Sequence, residues 1–328
     1  MSFRVVWVVV PMVRLMVERR DAMAEAMGGV GGGYARAMMS PAYADTFDVA
    51  GVRCHLVGIG GCGMSGLARM FRARGALVTG SEVSGSETAG PLIAEGFGVT
   101  VGQGPGTLPA DAALVVRSAA VGDDHPEVIE ARERGLGVMS YAGALGACML
   151  GRTGVAVAGT HGKSTTSAML GWALMGAGLD PTVIVGAACG QIAPSGDGGR
   201  ATGGFRLGSE RVPRGRLAGE PGVLVAEACE FNRSFHELHP TVAAITGVEA
   251  DHLDVYGSLE GVLEAFGEFA SRLPAAGDGG RLLIAQEGAH RERVTAGVRC
   301  GVETIGWAGS GADWCVEAVV AGGGVQRV

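Results

Sequence analysis

Seven consecutive residues, Gly159, Thr160, His161, Gly162, Lys163, Ser164 and Thr165, bring together what a phosphate site needs. Glycines let backbone N–H groups turn inward on phosphate oxygens, a lysine can bridge the terminal phosphates, and a hydroxyl can enter the shell of Mg²⁺. The loop is shorter than the G-x-x-x-x-G-K-[ST] frame, which would want glycine where Val157 stands. An apolar run leads in ("VAVA", from 155) and an apolar helix leads out ("STTSAML"). Strand, turn, lysine, hydroxyl and helix thus come in the order that nucleoside triphosphate binding requires. Two further apolar runs end in carboxylates. "GVLVAEACEF" delivers Glu227 and Glu230, and "TVAAITGVEADHLD" delivers Glu249, Asp251, His252 and Asp254. A hard cation prefers carboxylate oxygen, so Glu230 is the candidate direct ligand and His252 a less ordinary one. Glu227, Glu249 and Asp254 read as structural or solvated.

A second glycine turn lies upstream in "HLVGIGGCGMSGLARM", where Cys54–Val57 runs into Gly58-x-Gly60-x-x-Gly63. Met64, Leu67, Ala68 and Phe71 then recur at helical spacing. Such glycines admit a pyrophosphate close to the backbone, and the following helix favours its charge. A second strand, Ala76 to Thr79, ends in "GSE", which places Glu82 nineteen residues after Gly63. A dinucleotide fold puts an acid there on a ribose hydroxyl. On the residues alone an NAD site and a plain tight turn both stay open. Ser118, just past the end of the strand in "ALVVRSAA", is either a ligand contact or a cap.

The elements that would carry these groups alternate in type. "HPEVIEARERG" reads as a helix, "LGVMS" as a strand and "YAGALGACMLG" as a helix; "LEGVLEAFGEFASRL" reads as an amphipathic helix, with Val262, Leu263, Phe266 and Phe269 on one face. The expected class is therefore α/β. A Rossmann-like parallel-sheet domain over 51–151 precedes a P-loop ATPase-type central domain over 152–328. A chain of 328 residues suits two such domains. A formal charge of -7 with scattered basic residues gives no footprint for nucleic acid. The seven cysteines form no C-x-x-C pair and suit reduced thiols in a cytoplasm. The apolar run "VVWVVVPMV" is too short for a membrane that needs ~20 residues, so no membrane insertion is expected. Residues 1–50, with the linker-like "GGVGGG" at 28–33, form a poorly defined extension.

Together, "HLVGIGGCGMSGLARM", "AGTHGKSTT", "EACEFNRSF" and "VEADHLD" resemble the Mur ligase family over about 51–270, and His161 resembles its alanine-adding branch. The resemblance implies ATP-driven, Mg²⁺-dependent joining of L-alanine to the lactyl carboxylate of UDP-N-acetylmuramate through an acyl phosphate. It implies that Gly58, Gly60, Gly61, Gly63, Met64, Ser65, Glu82 and Ser118 hold the UDP-sugar, with no nicotinamide. It further implies that residues 159–165 hold ATP, that Lys163 steadies the transferring phosphoryl group, that Ser164 and Glu230 hold one Mg²⁺, and that His252 serves a second metal near the substrate carboxylate.

Departures are specific. Where the family reads E-A-D-E-S-D the chain has Cys229, Phe231 and Asn232 around Glu230, and Gly247 replaces an asparagine. The stretch 190–221 carries no motif of the family. The family's third domain is expected to be missing, which implies a truncated ligase that does not turn over alone. Two further readings remain: a peptide-recycling branch of the same family, whose first turn departs from G-I-G-G-x-G-M-S-G, and a non-catalytic module that only binds nucleotide.

Overall fold

The computed structural model describes residues 9, 11–14, 47–83, 89–193, 203–316, 320–322 and 325–327. They fall into two compact units, one of Thr46–Cys148 with Val183–Leu207, the other of Met1–Asp45, Met149–Thr182 and Gly208–Val328.

The first unit is built on five strands, β1 (Arg53–Val57), β2 (Leu77–Glu82), β3 (Gly98–Val101), β4 (Leu114–Arg117) and β5 (Gly137–Ser140), in the order β3-β2-β1-β4-β5. Every pairing is parallel. This order reverses between β1 and β4, and the crevice beyond their carboxyl ends is where open α/β sheets take ligands. Helix α1 (Cys62–Ala73) buries Met64, Leu67, Ala68 and Phe71, the stripe expected from the sequence, and Met70 beside them. Burying a side chain such as Phe71 stabilises the fold by about 2–3 kcal/mol. Helix α2 (Gly90–Ala94) and β3 were not anticipated. Their signals are weak: a Gly-Pro helix start and a strand of four residues. Helix α3 (Pro126–Glu133) starts at a proline, is capped by the His125 side chain, and is followed by Gly135 at φ 68°. Helix α4 (Tyr141–Met149) packs so closely that a Cβ on Gly63 would come within 2.6 Å of the Tyr141 ring. That explains the third glycine of the turn.

β6 (Thr153–Ala158) begins the second unit and is followed by helix α5 (Lys163–Gly176). The antiparallel pair β7 (Thr182–Ile184) and β8 (Phe205–Arg206) comes next in the chain, but all of it past Thr182 belongs to the first unit. Five more strands are β9 (Val223–Glu227), β10 (Val242–Ile245), β11 (Arg281–Ala285), β12 (Gly301–Trp307) and β13 (Trp314–Val316). With β6 these five run β13-β12-β11-β10-β6-β9, again parallel. β6, β9 and β10 are buried almost throughout, as strands covered on both faces must be. Two short helices, α6 (Leu253–Tyr256) and α8 (Arg291–Val294), flank the amphipathic α7 (Leu259–Ser271). A final antiparallel pair is β14 (Val320–Gly322) with β15 (Val325–Arg327).

A division at 151/152 alone leaves out one feature of the compact units. Residues 183–207 cluster with the first unit: the Cys62 thiol bonds to the Val185 carbonyl at 3.7 Å, and Phe205 lies against Gly66 of α1, where a Cβ would meet it at 3.2 Å. Of the expected extension, residues 11–14 are helical, Met12 is fully buried, and the Arg14 guanidinium lies 5.3 Å from the Trp314 ring centroid. The run at 28–33 lies outside the described residues, as do 194–202 of the 190–221 stretch. Among the described residues no helix is long and apolar enough to cross a membrane.

Candidate functional site

The short loop starts where β6 ends. Val157 is fully buried inside that strand, so the turn begins two residues later, at Gly159 with φ 130°. A Cβ there would stand 2.1 Å from the Thr246 hydroxyl. Gly162, at φ 83° and ψ 0°, then caps α5 in the left-handed region. The end of β10 straps the loop in place. Thr246 donates to the His161 carbonyl at 2.5 Å, the Thr160 amide donates to the Gly247 carbonyl at 2.9 Å, and the Glu249 amide donates to the Thr160 hydroxyl at 2.9 Å. Gly247 thus contributes its backbone, with no side chain to add. The His161 ring is exposed and lies 3.9 Å from Glu249.

Lys163 and Glu230 meet at 2.8 Å, and the ammonium also donates to the carbonyls of Gly159 and Thr160 at 2.7 and 3.2 Å. The Glu230 side chain is only 3% exposed. Its Oε2 is buried, with the Lys163 ammonium 2.8 Å away as its charged neighbour. Beside it, ligand atoms of Glu230, Asp251 and His252 lie within 4.8 Å of one another. Two carboxylates and an imidazole, the Glu230 carboxylate buried, fit a hard divalent cation that completes its shell with water or phosphate. Ser164 is not drawn to Glu230; its hydroxyl donates to Glu227 at 2.5 Å. That bond leaves the lone pairs of Ser164 available, and gives Glu227 an orienting role that sequence reasoning missed. Asp251 was missed for a different reason: nothing in the spacing separates it from Asp254.

Non-glycine residues in the left-handed region gather here. Asn232 (φ 51°), Arg233 (φ 56°) and His252 (φ 49°) adopt it, at roughly 1–2 kcal/mol each for residues other than asparagine. The surroundings hold them there. Phe235 stacks on Phe269 with centroids 4.9 Å apart, Arg233 bonds Glu268 at 2.9 Å, and the Tyr256 hydroxyl donates to the Glu230 carbonyl. Burial pushes the Tyr256 phenol above its ordinary pKa, so it stays a donor. Tyr256→Phe is expected to cost about 1 kcal/mol and to weaken Mn²⁺ binding several-fold, measured by calorimetry, by freeing the Glu230 backbone.

In the first unit, Gly58 (φ 79°) leaves room for Ser118, whose hydroxyl would stand 2.9 Å from a Cβ at 58. The Gly60 amide donates to Glu82 at 2.8 Å. Gly61 precedes α1 without a side-chain cap, and the first turn of the helix holds no acid, an arrangement open to an anion. Met64 and Ser65 face inward; both are buried, and the Ser65 hydroxyl bonds the Cys62 carbonyl at 3.0 Å.

Comparison with known proteins identifies the family. Residues 53–153 match the Mur ligase family, catalytic domain, and residues 157–314 match the Mur ligase middle domain. The chain is 44% identical over 236 residues to the UDP-N-acetylmuramate–L-alanine ligase of Kineococcus radiotolerans, covering 71% of this chain and 45% of that protein. It is 41% identical over 244 residues to the ligase of that name from Acidothermus cellulolyticus, covering 74% and 46%. The chain therefore spans less than half the length of these relatives. Among solved structures it resembles the UDP-N-acetylmuramate–alanine ligase of Thermotoga maritima (TM-score 0.62, 26% identity, 78% of this chain and 53% of that one). It also resembles a murein peptide ligase of Psychrobacter arcticus (TM-score 0.67, 27% identity, 83% and 57%).

Proposed function

The chain belongs to the Mur ligase family, and from that premise we propose that it binds ATP with Mg²⁺ on the short loop of its second unit and UDP-N-acetylmuramate on the glycine turn of its first. The reaction served is the joining of L-alanine to the lactyl carboxylate. That carboxylate attacks the γ-phosphorus, ADP leaves, and the alanine amine then displaces phosphate from the acyl phosphate. The observation that carries this reading is the Lys163–Glu230 pair set beside Asp251 and His252 at the mouth of the loop.

The protein's part is positioning and charge. Phosphoryl transfer needs its reactants aligned and its spreading negative charge met, with little covalent chemistry from side chains. Loop amides after Gly159 orient the phosphates, and Lys163, swung from Glu230, meets the oxygens of the transferring group. Glu230, Asp251 and His252 would hold the divalent cation, with Ser164 oriented toward the same role by Glu227. When bound, that cation neutralises phosphate charge as a Lewis acid.

The curated relatives favour L-alanine as acceptor, while the likeness to a peptide ligase keeps a peptide acceptor as the second reading. The deciding experiment is calorimetry of the chain with a non-hydrolysable ATP analogue plus Mg²⁺ and with UDP-N-acetylmuramate. It is followed by phosphate release with L-alanine or a tripeptide as acceptor, measured on the chain extended by the third domain expected of the family. Binding of both nucleotides supports the proposal, and faster release with tripeptide favours the second reading. Absence of either binding event would overturn the assignment of that unit.

A further inference from the structure

Behind the glycine turn of the first unit lies a polar network that the proposed chemistry does not use. Glu127 of α3 is fully buried and His55 of β1 is 1% exposed, beside a core of Val57, Val115, Val121 and Val128. The Glu127 Oε2 accepts from the Ser81 hydroxyl at 2.7 Å and lies 3.0 Å from the His55 Nε2, while Oε1 accepts from the Gly104 amide at 3.3 Å. Burial alone would raise the pKa of this carboxyl. The hydrogen bonds from His55, Ser81 and Thr107 outweigh that and hold it below the ordinary value, as an ionised acceptor.

A second arm runs from the same helix start. The Glu127 amide donates to the His125 Nδ1 at 3.3 Å, so the proton of that imidazole sits on Nε2 and is donated to the Gln103 side-chain oxygen at 3.2 Å. The Gln103 amide group in turn donates to the Ser81 carbonyl at 3.4 Å. Both arms therefore end on Ser81, one on its hydroxyl and one on its carbonyl. That carbonyl also accepts the amides of Gly58 at 2.9 Å and Ile59 at 3.1 Å, the first two residues of the turn. Contact is close enough that a Cβ on Gly80 would meet the Ile59 side chain at 2.7 Å. The position of Ser81 is thus the position of the turn.

A buried carboxylate and imidazole are a costly way to hold two strands and a helix together, since apolar residues of similar volume often serve stability as well or better. Directional bonds do what apolar packing cannot: they fix one residue to within a fraction of an ångström. We propose that Glu127, with His125 and His55, is a positioning residue that fixes Ser81, and through the Ser81 carbonyl sets the glycine turn for a nucleoside diphosphate. This rests on the reading that the turn holds the UDP moiety.

The test uses the whole chain with Glu127→Gln, which sets an amide N–H₂ among donors, and Ser81→Ala, which deletes the hydroxyl and leaves the carbonyl. Two quantities are read: UDP affinity against affinity for a non-hydrolysable ATP analogue with Mg²⁺, and hydrogen exchange of the Gly58 and Ile59 amides. UDP affinity is expected to fall about tenfold in Glu127→Gln and somewhat less in Ser81→Ala. The ATP analogue should bind as in wild type, and the two amides should exchange at least tenfold faster. Equal losses for both nucleotides, or unchanged exchange in a folded variant, would overturn the proposal. Should Glu127→Gln not fold, Ser81→Ala decides. If wild type itself binds no UDP, the reading of the turn fails, and the exchange rates alone decide whether Glu127 sets it.

Discussion

Replacing Lys163 with alanine is expected to move two affinities in opposite directions. For ATP, the variant loses a charge-assisted contact with the terminal phosphates, and binding should fall by about 10- to 100-fold, matching the ~1.5–3 kcal/mol of such a bond. For Mg²⁺ alone, the change removes a cation that sits 2.8 Å from Glu230 and competes for its oxygens, so affinity should rise. Stability adds a third sign. Glu230 is 3% exposed at its side chain, and breaking a buried pair by removing one partner costs ~3–5 kcal/mol, so the variant should unfold at lower temperature without metal. It should then gain more from added Mg²⁺ than wild type does, because the divalent ion replaces the lost charge. Calorimetry with each ligand and thermal unfolding at several Mg²⁺ concentrations measure all three. A variant that binds both ATP and Mg²⁺ more weakly, with no extra thermal gain from the metal, would show that the ion does not sit on Glu230. Lys163→Met, which keeps most of the apolar stem, separates lost charge from lost packing.

What the sequence disclosed and what it hid divide along the range of the interactions. Both glycine turns were legible because their geometry is local: strand, positive-φ glycine and helix follow within ten residues, and each step has a residue-type requirement. Glu230 and His252 were legible as a carboxylate and an imidazole on the segments that follow β9 and β10. The partner of Ser164 was not, because Glu227 reaches it from a strand sixty-three residues away, and no local rule says which carboxylate on β9 faces α5. Thr246 was hidden in the same way, since its role depends on the register of β10 against β6, with Ile245 beside Ala158. The small elements α2 and β3 escaped because five and four residues are too few to show a period. Glu127 reads in the sequence as one more acid in the first turn of a helix; only the approach of β1 and β2 makes it the centre of a network.

Gly159 is where the sharpest single-methyl effect is expected. At φ 130° an L side chain is strained whatever the space around it, and the added Cβ would also lie 2.1 Å from the Thr246 hydroxyl. Backbone strain of this kind costs ~1–3 kcal/mol and overpacking a further ~1–3 kcal/mol, so Gly159→Ala should destabilise the chain by about 3–5 kcal/mol. A loop that escapes the strain does so by turning its amides away from the phosphates, so ATP-analogue binding should be lost. The two causes are separable. Thr246→Ala alone removes the hydroxyl that donates to the His161 carbonyl, with the Ala158 carbonyl 3.2 Å away, a cost of about 1–2 kcal/mol. Combined with Gly159→Ala it also removes the hydroxyl clash, so the double variant should be more stable than the sum of the single effects predicts. Recovery should stay partial. The Gly247 carbonyl and the Thr246 amide would each still stand 3.0 Å from the new methyl, and backbone atoms of a strapped loop have nowhere to go. Gly162 provides the control: at φ 83° and ψ 0° it occupies a region that asparagine tolerates, so Gly162→Asn should cost far less than Gly159→Ala. Thermal unfolding of the four variants measures the coupling. Strict additivity between 159 and 246 would show that the strap from β10 does not shape the loop, and that Gly159 is required for its backbone conformation alone.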